Sequence, residues 1–164
     1  MNAKPTMGFV EAIKTCYAKY FNFNGRARRS EFWWFYLFAS IFSSIPVYIV
    51  RMMHTAAAAE FQENLTGASL DQLSNAMQEA QAVDSKYLTF YIIASIISLF
   101  LFSIPLIAAM ARRLHDVGKS GWLILCFLLC GIGGLIPLIM CIPDGKPEPN
   151  KFGPSPKYVP TPGV

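Results

Sequence analysis

Arg112, Arg113, His115, Asp116 and Lys119 fall within the eight residues 112–119, with Ser120 next in line, in the segment ARRLHDVGKSGW. Several chemistries use such groups. Gly118-Lys119-Ser120 has the ending of a phosphate-binding P-loop. That motif needs a glycine where Arg113 stands, and a strand before the loop, where an apolar helix is expected instead. His115 and Asp116 are two candidate metal ligands, but a zinc site takes three or four and no third is evident. Ser120 and His115 can be imagined as nucleophile and base. The acid orienting the histidine would then be its sequence neighbour Asp116, which is poor triad geometry. Anion recognition remains. Ser120 can cap a following helix whose first N–H groups are free, with Arg112, Arg113 and Lys119 close by. The plain counterpart is a structural latch in which Asp116 satisfies an arginine internally. We therefore read Arg112, Arg113, His115, Asp116, Lys119 and Ser120 as an anion- or lipid-binding group or a latch, and assign no catalytic residue, metal or cofactor.

Long apolar runs position this segment. The chain has 164 residues, 54% apolar and 15% charged, against about 25% charged in an ordinary soluble domain. No charged residue occurs in 32–50, 87–111 or 122–142. Each run is close to the ~20 residues a helix needs to cross a bilayer core. The fold class expected is all-α: a multi-pass membrane protein with three transmembrane helices, the third either a full span or re-entrant. Gly131, Gly133, Gly134 and Pro137 interrupt that third run, so it either packs closely on its neighbours or breaks into half-helices. Pro46 sits inside the first run and should kink it.

Residues 7–21 place Phe9, Ile13, Cys16, Tyr17 and Tyr20 on one face and Glu11, Lys14 and Lys19 on the other. This is an amphipathic helix, either lying in the headgroup plane or packed on the protein's own helices. Asn24-Gly25 signals a turn. Arg26, Arg28 and Arg29 then precede the first span, where they read as topology signals in contact with lipid phosphates. Trp33, Trp34 and Trp122 read as interfacial anchors. Residues 51–86 are rich in Ala, Gln, Met and Leu, lack proline and carry five acids. We expect a helical hairpin that turns at 65–68 and restarts at a Ser69-x-x-Gln72 capping box. Its Leu70, Leu73, Met77 and Ala80 stripe needs a cover, so a protein partner or a second copy is expected there. The tail, 143–164, has seven prolines and should be extended.

None of Cys16, Cys126, Cys130 and Cys141 forms a C-x-x-C pair, so small packing residues are expected rather than a disulfide framework. The first apolar run starts only at Phe32, which is not a cleavable signal, so the N-terminus should be retained. The net charge of +4 points to orientation and anionic lipid before nucleic acid, for which the aromatic-interleaved basic patch is missing. Lys and Arg number six before the first run, two in the hairpin, three in 112–121 and three in the tail. The N-terminus and 112–121 should therefore be cytoplasmic. Three full spans put the tail outside; a re-entrant third run keeps it inside. Charge favours the re-entrant run, with twelve Lys and Arg inside against nine; length favours three spans, which is the expectation.

Three blocks carry a family resemblance. One is F-x-G-R-x-x-R-x-E-F-W: Phe23, Gly25, Arg26, Arg29, Glu31, Phe32 and Trp33. The second, R-R-L-H-D-x-G-K-S-G-W, is complete from Arg112 to Trp122. In the tail, Gly145, Pro147, Asn150, Lys151, Phe152, Gly153 and Pro154 fit G-x-P-G-x-N-K-F-G-P, with Glu148 where glycine is usual. With these blocks the chain resembles the DUF805 family of small bacterial inner-membrane proteins. The resemblance implies a multi-pass inner-membrane location and no particular activity; it does not reach 51–86. We expect a non-enzymatic membrane protein that engages anionic lipid headgroups or a protein partner. The rivals are a small transporter or channel component built on the Gly131–Pro137 break, and a phospholipid-directed enzyme using Ser120 or His115.

Overall fold

A computed structural model of the chain describes residues 2–64, 69–128 and 134–159. The elements are β1 (Asn2–Ala3), α1 (Phe9–Ala18), α2 (Arg29–Asn64), α3 (Leu70–Ser98), a π-helical turn (Leu99–Ser103), α4 (Ile104–Asp116), a 3-10 helix (Gly121–Leu128), α5 (Leu135–Met140) and β2 (Tyr158–Val159). The all-α expectation is thus amended by a two-residue antiparallel pair, Asn2 opposite Val159 and Ala3 opposite Tyr158. Two helical stretches, Arg29–Gln62 and Gln78–Asp116, are long and apolar enough to cross a membrane. The run at 122–142 is different. Its described residues form the 3-10 helix and then α5; Cys130, Gly131 and Gly133 lie outside the described residues.

The chain divides into two compact units. One is Ile41–Leu101. Here α2 continues through Pro46. α3 starts at a complete capping box in which Ser69 and Gln72 exchange side-chain and backbone bonds, satisfying two donors that a helix start leaves free. His54 and Asp84 bond across the two helices at 2.9 Å, and the His54 ring meets Tyr87 edge-on. Tyr48, Leu88, Ile92, Ile97 and Phe100 are exposed, an apolar exterior of the kind a lipid-facing helix carries. The expected turn at 65–68, and the side chains of Leu70, Leu73 and Met77, lie outside the described residues.

The other unit is Met1–Ser40 with Phe102–Val164. Its apolar core joins Cys16 of α1, Phe32, Phe35 and Ala39 of α2, Ala109, Met110 and Leu114 of α4, and Cys141 after α5. α1 therefore packs on the protein's own helices through Ala12 and Cys16, while Phe9 and Val10 stay exposed. The tail does not run free. It folds back through β2, and Lys4 N–H donates to the Lys157 carbonyl at 2.8 Å, so segments from both ends of the chain are tied together.

α4 ends in a Schellman motif. Gly118, at φ 82°, turns into the left-handed region; its N–H donates to the His115 carbonyl at 3.0 Å, and Lys119 N–H reaches the Leu114 carbonyl at 2.9 Å. A side chain at this φ is strained. Gly118→Ala should lower stability by about 1–2 kcal/mol, measured as the shift of the thermal unfolding midpoint in detergent. Lys119→Ala, whose side chain is exposed, should change it by under about 0.5 kcal/mol.

Candidate functional site

The last turn of α4, Arg112 to Asp116, is buried throughout although four of its five residues are polar. A helix end leaves its last carbonyls without intrahelical donors, and here each has one. Val117 N–H serves Arg113, Lys119 serves Leu114, and Gly118 together with the Asn150 side-chain amide (2.8 Å) serves His115. Asp116's carbonyl accepts from Lys146 N–H and from Arg26 Nη2, each at 3.4 Å. One turn further in, the Arg112 carbonyl accepts from Ala27 N–H at 3.0 Å. Beyond the local turn 117–119, the donors come from the segment before α2 and from the tail, so the end of α4 is closed by both.

Three guanidiniums are buried around this turn. Arg112 reaches the α1–α2 connection, donating from Nη1 to the Lys19 carbonyl (3.1 Å) and the Asn22 carbonyl (2.7 Å), and from Nη2 to Glu31 Oε1 (3.0 Å). Its Nε has no acceptor among the described residues. Arg113 faces the tail. It donates to the Cys141 carbonyl at 3.2 Å, to the Ala27 carbonyl at 3.5 Å, to the Pro143 carbonyl and to Asp116 Oδ2. Arg26 donates from Nε to Asp116 Oδ1 at 2.8 Å, from Nη1 to the Glu148 carbonyl at 2.9 Å, and also to the Gly153 and Lys146 carbonyls. Three cations thus meet two carboxylates, Glu31 and Asp116, and the remaining donors go largely to backbone carbonyls. Buried charges are tolerated only when paired and hydrogen-bonded in this way.

Asp116 is the junction, with one oxygen on Arg26 and the other on Arg113. Gly145 lies so close to this carboxylate that a β-carbon there would overlap it. His115 points the other way. Its Nδ1 lies 3.2 Å from the Gly25 carbonyl, which fixes the proton on that nitrogen. Its ring stacks on Phe152 with centroids 3.7 Å apart and planes 7° from parallel. Gly121 packs against Nε2, where an added methyl would stand 3.0 Å away. His115 and Ser120 line one cavity of about 640 Å³ together with Trp122, Leu125 and Lys151.

The six residues singled out in the sequence therefore separate. Arg112, Arg113 and Asp116 share the buried cluster, and His115 stacks beside it. The side chains of Lys119 and Ser120 are exposed. Ser120 Oγ accepts from Trp122 N–H at 3.4 Å, capping a 3-10 helix. The three arginines before the first span separate too. Arg26 is buried. Arg28 is half-buried, on the Lys4 and Pro5 carbonyls (2.9 and 2.8 Å). Arg29 is exposed. Trp122 is 78% exposed and Trp34 is exposed, whereas Trp33 is half-buried against Phe32 and Tyr36. Sequence reasoning missed the roles of Glu31, Gly145, Asn150 and Phe152 as partners of the motif. All four lie in the other two motif blocks, and that was the available signal.

Electrostatics at the periphery is simpler. The Lys157 ammonium hydrogen-bonded to Asp144 holds that carboxyl below its usual range, and Asp144 in turn raises Lys157. Burial pushes the Cys16 thiol up to about 12, which leaves it an inert packing group. Among the described residues no cluster of three or more His, Cys, Asp or Glu is placed to hold a metal ion.

The assembled blocks match a known family. The chain is similar over residues 20–154 to the family described as "Protein of unknown function (DUF805)". It is 31% identical over 141 residues to the inner membrane protein YhaH of Escherichia coli K12, covering 86% of this chain and 92% of that protein. It is 28% identical over 139 residues to the inner membrane protein YhaI of the same strain, covering 85% and 89%. No solved structure matches. The residues that close the end of α4, from Gly25 to Gly153, lie inside the matched span, and the chain belongs to the DUF805 family.

Proposed function

We propose that the chain is a non-enzymatic, multi-pass protein of the bacterial inner membrane. Its three motif blocks would form a structural latch at the cytoplasmic surface, and its remaining basic surface would engage anionic lipid. The observation that carries the latch is the destination of the guanidinium donors. Arg26, Arg112 and Arg113 spend them on Glu31, Asp116 and backbone carbonyls. Little is left for an external anion at 112–116. The apolar helices and the inner-membrane relatives support the location. The excess of Lys and Arg in the N-terminal segment and in 112–121 supports a cytoplasmic side for both. The hairpin at 51–86 is the part we assign to a protein partner or a second copy.

The tail's contacts bear on topology. Residues 143–158 bond to Lys4, Arg26, Arg113 and Asp116, segments that precede the first apolar run or close the second. This supports a re-entrant third run and a cytoplasmic tail, with twelve of the fourteen Lys and Arg residues inside. A cysteine at position 155 should react with an impermeant maleimide only after the membrane is opened. Labelling in intact spheroplasts would establish three full spans instead.

The latch is testable by a double-mutant cycle on Arg112 and Glu31. Glu31→Gln strands a buried guanidinium and should cost about 3 kcal/mol. Arg112→Met alone strands the carboxylate at similar cost. The double variant should recover at least about 1 kcal/mol relative to the sum. Unfolding in detergent measures this, and additive losses would sink the latch. Gly145→Ala should be destabilising by about 1–3 kcal/mol, because the methyl displaces the Asp116 carboxylate; an unchanged unfolding midpoint would show that Gly145 does not seat it.

A further inference from the structure

We propose that the cleft formed by the N-terminal segment, the start of α2 and the end of the tail binds a phosphate group, with the headgroup of an anionic phospholipid as its natural source. This rests on the membrane-surface reading above and gives it a specific site, whose cations all lie outside residues 112–120. The cleft has a volume of about 240 Å³ and is lined by Lys4, Arg28, Arg29, Ser30, Asp144 and Lys157, among others. That lies below the roughly 300 Å³ at which pockets for drug-sized ligands begin, and it suits a small anion better than a nucleotide.

Four cations line this cleft, from three segments remote in sequence. The pairing of β1 with β2 brings Lys4 beside Lys157. Arg28 grips the Lys4 and Pro5 carbonyls and so fixes the N-terminal wall. Arg29 is exposed, and its guanidinium makes no hydrogen bond or ion pair among the described residues. A free guanidinium offers a planar fork suited to two phosphate oxygens. Two carboxylates also line the cleft. Asp116 is occupied by Arg26 and Arg113, and Asp144 by Lys157. The balance is therefore positive, and Asp144 stands where an arriving anion would displace it from Lys157.

The surroundings favour a lipid source. Trp34 lies four residues after Ser30 on the same face of α2, about 6 Å along the axis. Trp34 is 40% exposed and meets the equally exposed Phe9 edge-on at 5.7 Å, and Leu37 beyond it is 47% exposed. The helix that brings Ser30 to the cleft thus carries exposed apolar residues one and two turns further on, an order that matches a charged headgroup followed by acyl chain. In contrast, the guanidiniums of Arg112 and Arg113 are buried and already engaged.

The test uses the full chain in nanodiscs of phosphatidylcholine, with two probes. Inorganic phosphate is titrated calorimetrically, and phosphatidylglycerol retained per protein is counted by native mass spectrometry. Saturable binding of either probe is expected, phosphatidylglycerol the stronger, and the arm that responds identifies the source. Arg29→Gln with Lys157→Gln should weaken binding at least tenfold. Asp144→Asn, which releases Lys157 and removes a repelling charge, should strengthen it several-fold. The idea is overturned if neither probe saturates the wild type, or if the Arg29/Lys157 double variant binds both probes as the wild type does. These side chains lie outside the buried cluster, so the double variant should unfold at the wild-type temperature. A failed latch would appear instead as additive losses in the Arg112–Glu31 cycle, whatever the binding result.

Discussion

The folded unit that contains both chain ends depends on one carboxylate. Asp116 accepts from Arg26 through one oxygen and from Arg113 through the other. Those arginines carry the link onward, Arg26 to the carbonyls of Lys146, Glu148 and Gly153, and Arg113 to those of Ala27, Cys141 and Pro143. A single charge thereby organises the segment before α2, the end of α4 and the tail. The arrangement is exacting because a buried charge that loses its partner costs several kcal/mol. Each arginine is useful only while Asp116 stays ionised and in place. Gly145 supplies the place, since any side chain there would collide with the carboxylate.

This geometry explains which positions of the motif blocks demand a particular residue and which do not. Glu148 stands where glycine is usual, yet it serves Arg26 through its backbone carbonyl while its side chain is exposed. The departure is therefore harmless to the cluster. Gly25, Gly118 and Gly153 have φ values of 86°, 82° and 122°, where a β-carbon is strained. Two of these glycines also present their carbonyls to the cluster, Gly25 to His115 and Gly153 to Arg26. Phe152 is held against His115 because Asn150, two residues earlier, binds the His115 carbonyl and accepts from Phe152 N–H.

Periodic features were legible in the sequence. The charge-free runs marked the long helices α2 and α3, and the Ser69–Gln72 pattern marked the start of α3. The grouping of Arg112, Arg113, His115 and Asp116 was visible because they are neighbours. Their partners were not, because Glu31 and Arg26 lie 81 and 90 residues away. The carbonyls of Lys19, Cys141 and Pro143 carry no side-chain signature at all. The tail's prolines pointed to an extended segment and said nothing of what it would bind. Nothing in a Pro-rich composition announces that its carbonyls, unused by secondary structure, are available as acceptors for arginine.

That availability also explains why the polar groups gather at helix ends. Much of this chain's helical surface is exposed and apolar. If lipid surrounds it, apolar contact alone gives little preference for one helix arrangement over another, since acyl chains are equally apolar. Unsatisfied backbone groups at the helix ends are different: they must find donors or water. At the end of α4, backbone N–H groups, Asn150 and Arg26 satisfy the last-turn carbonyls, and the carbonyls of the tail in turn accept from Arg26 and Arg113. The specific part of the fold is then the ionic cap on α4, and the apolar helices supply length and depth. Arg29 and Lys4 lie outside that cap, exposed and lining the cleft proposed to take a phosphate.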